Sequence, residues 1–211
     1  MSYIVYGNRR SGSALIELAL DVIKAPYEIR NVDLDADDQR GSGYASVNPA
    51  RKLPTLITPQ GERLTESLCI LVSLDERHRS ANLLPPPASA ARAQALRWMC
   101  FVATELYPLV EINDYPQRFS PDDETAPGIR NRAREMWRDR LKVIEQNIEG
   151  DPWLLTDGFS LADIYIAVVS RWAQQDDWRP SNIGRVERIA AAIARREETA
   201  DTWARHFTPT R

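Results

Sequence analysis

Three consecutive prolines, Pro85-Pro86-Pro87, constrain this chain more than any other feature. Proline lacks a backbone N–H and has a fixed φ, so neither a helix nor a central strand continues through such a run. The run also stiffens the chain toward an extended form. The character of the 211-residue sequence changes across it. Strand and helix signals alternate before it, and only helical periodicity follows. We therefore read residues 1–79 as a small α/β domain, 80–87 as a proline-rich linker and 88–211 as an all-helical domain. The length is enough for two hydrophobic cores.

In the first part, Tyr3 to Tyr6 is a short β-rich run and Ala14 to Ile23 is dense in Leu, Ile, Val and Ala, as a buried helix would be. Tyr27 to Leu34 reads as a second strand, and polar residues 35–43 as a loop or short helix. Thr55 to Thr58 is a third strand. Pro59-Gln60-Gly61 supplies a turn, and Arg63 to Thr65 returns antiparallel. A helix over 66–79 follows, with Leu68, Leu71, Val72 and Asp75 on one face. The order β-α-β, connector, β-β-α predicts a four-stranded mixed sheet carrying helices.

Beyond the prolines we expect a long helix from Ala88 to about Glu111, bent or broken near Pro108. Ile129, Ala133, Trp137, Leu141, Ile144 and Ile148 recur at three- and four-residue steps and mark a second, ended by Gly150. Leu161 to Trp172 is apolar on nearly all sides, as in a central bundle helix. Two more helices end the chain, around Val186–Ile193 and Thr199–Phe207.

Composition narrows the function. The formal net charge of −3 leaves no basic footprint for nucleic acid. No apolar run approaches the ~18 residues that span a bilayer. The N-terminus reads as a strand rather than a signal peptide. Cys69 and Cys100 lie far apart with no CxxC or metal-ligand spacing, and are read as two buried free thiols in a reducing, cytoplasmic compartment. His78 and His206 are remote from each other and from both cysteines, so no metal site is expected.

Three motifs carry chemistry. In Asn48-Pro49-Ala50-Arg51-Lys52-Leu53-Pro54-Thr55-Leu56 a proline stands just before a strand. A cis Leu53–Pro54 bond would turn the Leu53 N–H and C=O toward an extended ligand, whereas a plain loop into a strand would not. Glu66-Ser67 sits at a strand-to-helix turn. There Ser67 can cap the helix, free N–H groups and the helix dipole suit a carboxylate, and Glu66 can pair with an amine. Phe159-Ser160-Leu161-Ala162-Asp163-Ile164 is a capping box, with Ser160 and Asp163 exchanging hydrogen bonds.

Together these residues resemble the glutathione transferase family. The first two motifs, joined by Pro-Gln-Gly, match its glutathione-binding half, and the Ser160/Asp163 box matches the start of its core helix. The resemblance implies a thioredoxin-like α/β N-terminal domain and an all-α C-terminal helical bundle. It implies glutathione as co-substrate, no metal, a small electrophile as second substrate and a homodimer. By the same resemblance, Leu53 and Pro54 hold the cysteinyl part of glutathione, Glu66 and Ser67 hold its γ-glutamyl end, and Lys52 reaches the glycyl carboxylate or the cysteinyl backbone. The activating hydroxyl falls in Tyr6-Gly7-Asn8-Arg9-Arg10-Ser11-Gly12-Ser13. Ser11 is the first candidate, with Ser13 and Tyr6 as alternatives, and Arg9 or Arg10 adds positive charge. Ser11 and Ser13 could instead simply cap the first helix. Gly12 stands near where cysteine-type bacterial members carry their Cys, so mixed-disulfide chemistry through a site cysteine is not expected. Trp98, Phe101, Glu105, Tyr107 and Tyr115 are candidates for the second-substrate wall. The expected activity is attack of glutathione thiolate on a small, apolar electrophile. The alternatives are a non-catalytic binding or regulatory protein on the same fold and a glutathione-dependent disulfide or peroxide reductase.

Overall fold

The structure, a computed structural model, describes residues 2–172 and 177–208. Met1, 173–176 and 209–211, which fall within the expected domain ranges, lie outside the described residues. The chain divides into two compact units, Met1–Leu84 with Ile193–Arg211, and Pro85–Ala192.

The first unit is built on a four-stranded sheet of order β2-β1-β3-β4. Its strands are β1 (Tyr3–Gly7), β2 (Tyr27–Asn31), β3 (Thr55–Ile57) and β4 (Arg63–Leu64). β1 runs parallel to β2 and antiparallel to β3, and β3 is antiparallel to β4. The β1–β2 connection carries α1 (Ser13–Ile23), the βαβ crossover that parallel pairing requires. The first eight residues of α1 are all buried, as its continuous apolar run demands. Between β2 and β3 lie a turn of 3₁₀ helix (Asp38–Arg40) and α2 (Ser42–Val47), and β4 leads into α3 (Ser67–Arg77).

α3 is phased differently from the sequence expectation. Its buried residues are Ser67, Ile70, Leu71, Leu74 and Asp75, so Leu68 and Val72 flank the buried stripe rather than form it. Cys69 lies off that stripe and is exposed. Cys100 falls just past the buried Trp98–Met99 pair and is also exposed, so neither thiol is the buried one expected.

In the second unit, α4 (Ala90–Phe101) passes through a π-helical segment, Val102–Leu106, into α5 (Tyr107–Asp114). Pro108 has no N–H for residue 104, and the wider π turn absorbs that missing bond. The bend expected near Pro108 thus takes this form. α6 (Ala126–Gln146) ends at Asn147, three residues before Gly150. Gly150 is a close approach instead, because a Cβ there would lie 2.3 Å from the Leu155 carbonyl oxygen. Every residue of α7 (Leu161–Val169) is buried. Ser160 caps it, and the Asp163 carboxylate accepts from the N–H groups of Ser160 and Leu154, each at 2.7 Å. Burial pushes the Asp163 carboxyl up to about 6, against the pull of those hydrogen bonds. α8 (Trp178–Asn182) follows, then α9 (Gly184–Arg195), whose first N–H groups, of Arg185 and Val186, are taken by Glu145. α10 (Ala200–Phe207) belongs to the first unit and packs on α1.

Among the described residues no helix is long and apolar enough to cross a membrane. No group of three or more His, Cys, Asp and Glu among them could hold a metal ion.

Candidate active site

The sheet register brings the sequence motifs of the first unit to one end. Tyr6 pairs with Thr55, and Leu64 with Leu56. The residues just beyond those rungs are therefore neighbours: Gly7 at the end of β1, Leu53-Pro54 before β3, and Thr65-Glu66-Ser67 after β4. Three segments distant in sequence converge there.

The Leu53–Pro54 peptide is cis. The loop before it is held by buried polar groups. Asn48 Nδ2 donates to the Lys52 carbonyl at 2.7 Å, and Asn48 Oδ1 accepts from the Ala50 N–H at 2.9 Å. The Tyr44 hydroxyl donates to the same Lys52 carbonyl at 2.8 Å and lies 2.9 Å from Thr55 Oγ1. Burial pushes the Tyr44 phenol above its ordinary range, which keeps it a donor. Asn48 and Tyr44 thus fix the peptide units around Leu53. Sequence reasoning assigned neither residue a role, although Asn-Pro was part of the motif. Lys52 is exposed, Leu53 half-buried and Pro54 buried.

Glu66 is the residue before α3 and adopts φ 62°, ψ 108°. That conformation is uncommon for a side chain with a Cβ, and such outliers concentrate at functional sites. Ser67 does not cap α3; it is its buried first helical residue, at the positive end of the helix dipole. The strained turn leaves Glu66 exposed beside that helix end.

On the β1 side, residues 8–13 form a tight turn. Ser11 Oγ accepts from the N–H groups of Asn8 (3.1 Å) and Ser13 (3.2 Å) and lies 3.0 Å from Ser13 Oγ. Two N–H donors fill both lone-pair directions of the Ser11 hydroxyl, so its remaining capacity is to give a hydrogen. Ser13 is completely buried, while Ser11 keeps 7 % exposure. Asn8 ties the turn to β2 by donating from Nδ2 to the Val32 carbonyl at 2.9 Å. The pleat turns Tyr6 to the face opposite Gly7 and Ser13. There its hydroxyl accepts from Arg30 at 3.0 Å and its ring lies 5.9 Å from that of Tyr44. Arg9 is directed to the end of α10: its Nε donates to the Arg205 carbonyl at 2.9 Å and its Nη2 to the Thr208 carbonyl.

The candidates for the second-substrate wall all have partners inside the second unit. Trp98 packs edge-on against Phe101 at 5.5 Å, and Tyr107 against Trp172 at 4.9 Å. Glu105 pairs with Arg140 at 3.4 Å, and Arg118 stacks over Tyr115 at 3.8 Å.

A cis-proline loop, a strained acidic residue at a helix start and a serine turn thus meet at one end of the sheet. Comparison with known proteins gives the family. Residues 1–76 match the glutathione S-transferase N-terminal domain, and 107–185 its C-terminal domain. The uncharacterized GST-like protein YncG of Escherichia coli K12 is 28% identical over 194 residues, covering 90% of this chain and 91% of its own. Glutathione S-transferase GstA of Escherichia coli O157:H7 is 27% identical over 192 residues, covering 90% and 84%. The crystal structure of a glutathione transferase homologue from Sulfitobacter, with bound glutathione, superposes with a TM-score of 0.88 over 95% of this chain and 96% of its own, at 22% identity. The chain belongs to the glutathione S-transferase family of enzymes, with a thioredoxin-like first domain and a helical second one.

Proposed function

We propose that this protein is a glutathione transferase in which Ser11 gives a hydrogen bond to the glutathione sulfur and holds it as thiolate for attack on a small, apolar electrophile. The observation that carries the reading is the Ser11 hydroxyl. Its lone pairs are taken by two backbone N–H groups, so its hydrogen, directed at Ser13 Oγ 3.0 Å away, is what it can turn to a sulfur at the start of α1. A free thiol titrates near 8.5. A charge-assisted hydrogen bond and a helix N-terminus both favour the thiolate. Ser13 is too deeply buried to meet a ligand directly, and Tyr6 faces away.

The other end of the tripeptide falls to Glu66 and Ser67. The γ-glutamyl carboxylate lies at the N-terminus of α3, where the helix dipole favours an anion. Its ammonium meets Glu66. The peptide of Leu53, before Pro54, aligns the cysteinyl unit in the manner of an added strand, and Lys52 supplies positive charge toward the glycyl end. Held this way, the thiolate attacks the electrophilic carbon, a sulfur–carbon bond forms, and the leaving group departs with its electron pair. The protein supplies orientation and stabilisation of the thiolate.

Calorimetry with glutathione, followed by turnover of a chromogenic aryl halide, tests the reading. It predicts micromolar to millimolar binding, and a fall in kcat/KM of about 100-fold in Ser11→Ala, as for loss of a single stabilising donor. Binding without turnover of the aryl halide or of related electrophiles would leave a binding protein on this fold. Absence of binding would remove the proposal altogether. A homodimer in the cytoplasm belongs to the same reading, and light scattering on the purified chain checks its mass.

A further inference from the structure

Beneath the Ser11 turn lies a buried polar cluster that the activity outlined above does not use. Glu17, on α1, is 1 % exposed, and His206, on α10, is 2 % exposed. His206 Nδ1 accepts from the Arg10 N–H at 3.0 Å. A nitrogen that accepts carries no hydrogen, so the ring proton sits on Nε2. Nε2 lies 3.2 Å from Glu17 Oε1, an ion-pair distance at an angle too bent for a straight hydrogen bond. Arg205 donates from Nη2 to Glu17 Oε2 at 2.5 Å. Burial pushes the Glu17 carboxyl upward, but the facing His206 ring, with hydrogen bonds from Ser13 and Arg205, outweighs it and leaves it below the ordinary range.

Arg10 is the residue this cluster grips, and it has φ 61°. The left-handed region is unfavourable for a side chain with a Cβ and persists only where the surroundings hold it. Here the holding group is the imidazole, because the Arg10 N–H is its hydrogen-bond donor. The same turn aims the Asn8 N–H at Ser11 Oγ and accepts the Ser11 N–H on the Asn8 carbonyl at 3.1 Å. Arg9, one residue earlier, fastens the other side of the turn to the end of α10.

We propose that His206, its tautomer fixed by Arg10 and Glu17, is a positioning residue that latches the Asn8–Ser13 turn to the last helix and so orients the Ser11 hydroxyl toward the bound thiol. The proposal rests on Ser11 being the thiolate donor. The latch acts on the hydroxyl and not on the Glu66–Ser67 end of the site, so it affects the thiol's ionisation more than the tripeptide's affinity.

The test titrates the thiol of bound glutathione by the ultraviolet absorbance of its thiolate, in the full chain and in three variants. S-methylglutathione, which has no thiol to ionise, reports affinity alone. His206→Leu removes the acceptor for Arg10. It should lower the thiolate-to-thiol ratio at a given pH by about tenfold, one pKa unit, with S-methylglutathione affinity within about threefold. His206→Asn places an oxygen where Nδ1 stood and should recover most of that loss. Equal thiol titration in His206→Leu and wild type overturns the latch, as does an Asn variant as damaged as Leu. Ser11→Ala separates the two layers. If it leaves the thiol titration unchanged, the Ser11 reading fails. If it shifts the titration while His206→Leu does not, only the latch fails. Should His206→Leu not fold, NMR of the wild-type chain decides: His206 must show the Nε2–H tautomer, and the Arg10 amide must exchange slowly. Rapid exchange or the opposite tautomer contradicts the proposal.

Discussion

Gly7 is the residue at which a single methyl group should disturb both fold and site. A Cβ built there lies 2.2 Å from both Cβ and Oγ of Ser13, whereas carbon atoms in contact sit about 3.5–4.0 Å apart. Neither partner gives way easily. Gly7 is fixed in the β1–β2 ladder opposite Asn31, and Ser13 is the fully buried first residue of α1. The overlap involves a Cβ rather than a flexible tip, so relief requires β1 and α1 to move apart. Overpacking costs about 1–3 kcal/mol and sometimes more, and this geometry belongs at the upper end. For a chain of this size each kcal/mol lowers Tm by about 2–4 °C, so Gly7→Ala should melt roughly 6–12 °C below wild type. The displaced Ser13 N–H would also leave Ser11 Oγ, and turnover should fall with it. Thermal and chemical denaturation measure the loss, alongside the double variant Gly7→Ala/Ser13→Gly, which removes the atoms in the way. More than half of the loss in Tm should return in the double variant. A Gly7→Ala protein melting within about 1 °C of wild type, or an equal loss in both backgrounds, would refute the reasoning.

Three further outcomes follow from the same structure. Glu66→Gly relieves a φ of 62° that glycine adopts freely; it should stabilise the chain by about 1 kcal/mol while weakening glutathione binding at least about tenfold, as denaturation and calorimetry would show. Asn48→Ala leaves the Lys52 carbonyl and the Ala50 N–H each short of a buried partner, so it should destabilise by about 1–3 kcal/mol and raise the KM for glutathione. Asp163, raised from 3.8 to about 6, binds a proton more tightly when folded. Its contribution is therefore present below pH 4 and lost as pH rises to about 6, and Asp163→Asn should gain about 3 kcal/mol on wild type over that window, measured by denaturation across pH.

The parts of the fold that depend on local pattern were legible in the sequence. Short β-rich runs, the continuous apolar stretch of α1 and the Pro-Gln-Gly turn give the β-α-β and β-β-α order, and chirality and pairing rules then give the mixed sheet. Helix phase was less legible. α3 hides Ile70 and Leu74 rather than Leu68 and Val72, and it follows a Glu66 of positive φ, an angle that no periodicity reports. Cys69 and Cys100 are exposed because each stands one position outside its own helix's buried stripe. Within the site, Leu53-Pro54 and Glu66-Ser67 stand out because their chemistry is contiguous. Glu17 and His206 do not, because they meet from opposite ends of the chain and each alone is an ordinary helical residue. Gly7 carried no signal either. Its significance is the absent Cβ facing Ser13, a property of two elements in contact.

The proposed activity turns on one hydrogen bond, from a serine whose lone pairs are already engaged, to the sulfur of glutathione. A crystal structure of the chain with glutathione examines that bond directly. The sulfur should lie within hydrogen-bond reach of Ser11 Oγ, with the γ-glutamyl end at Glu66 and Ser67. A sulfur placed beside Tyr6, or with no hydroxyl in reach, would contradict it.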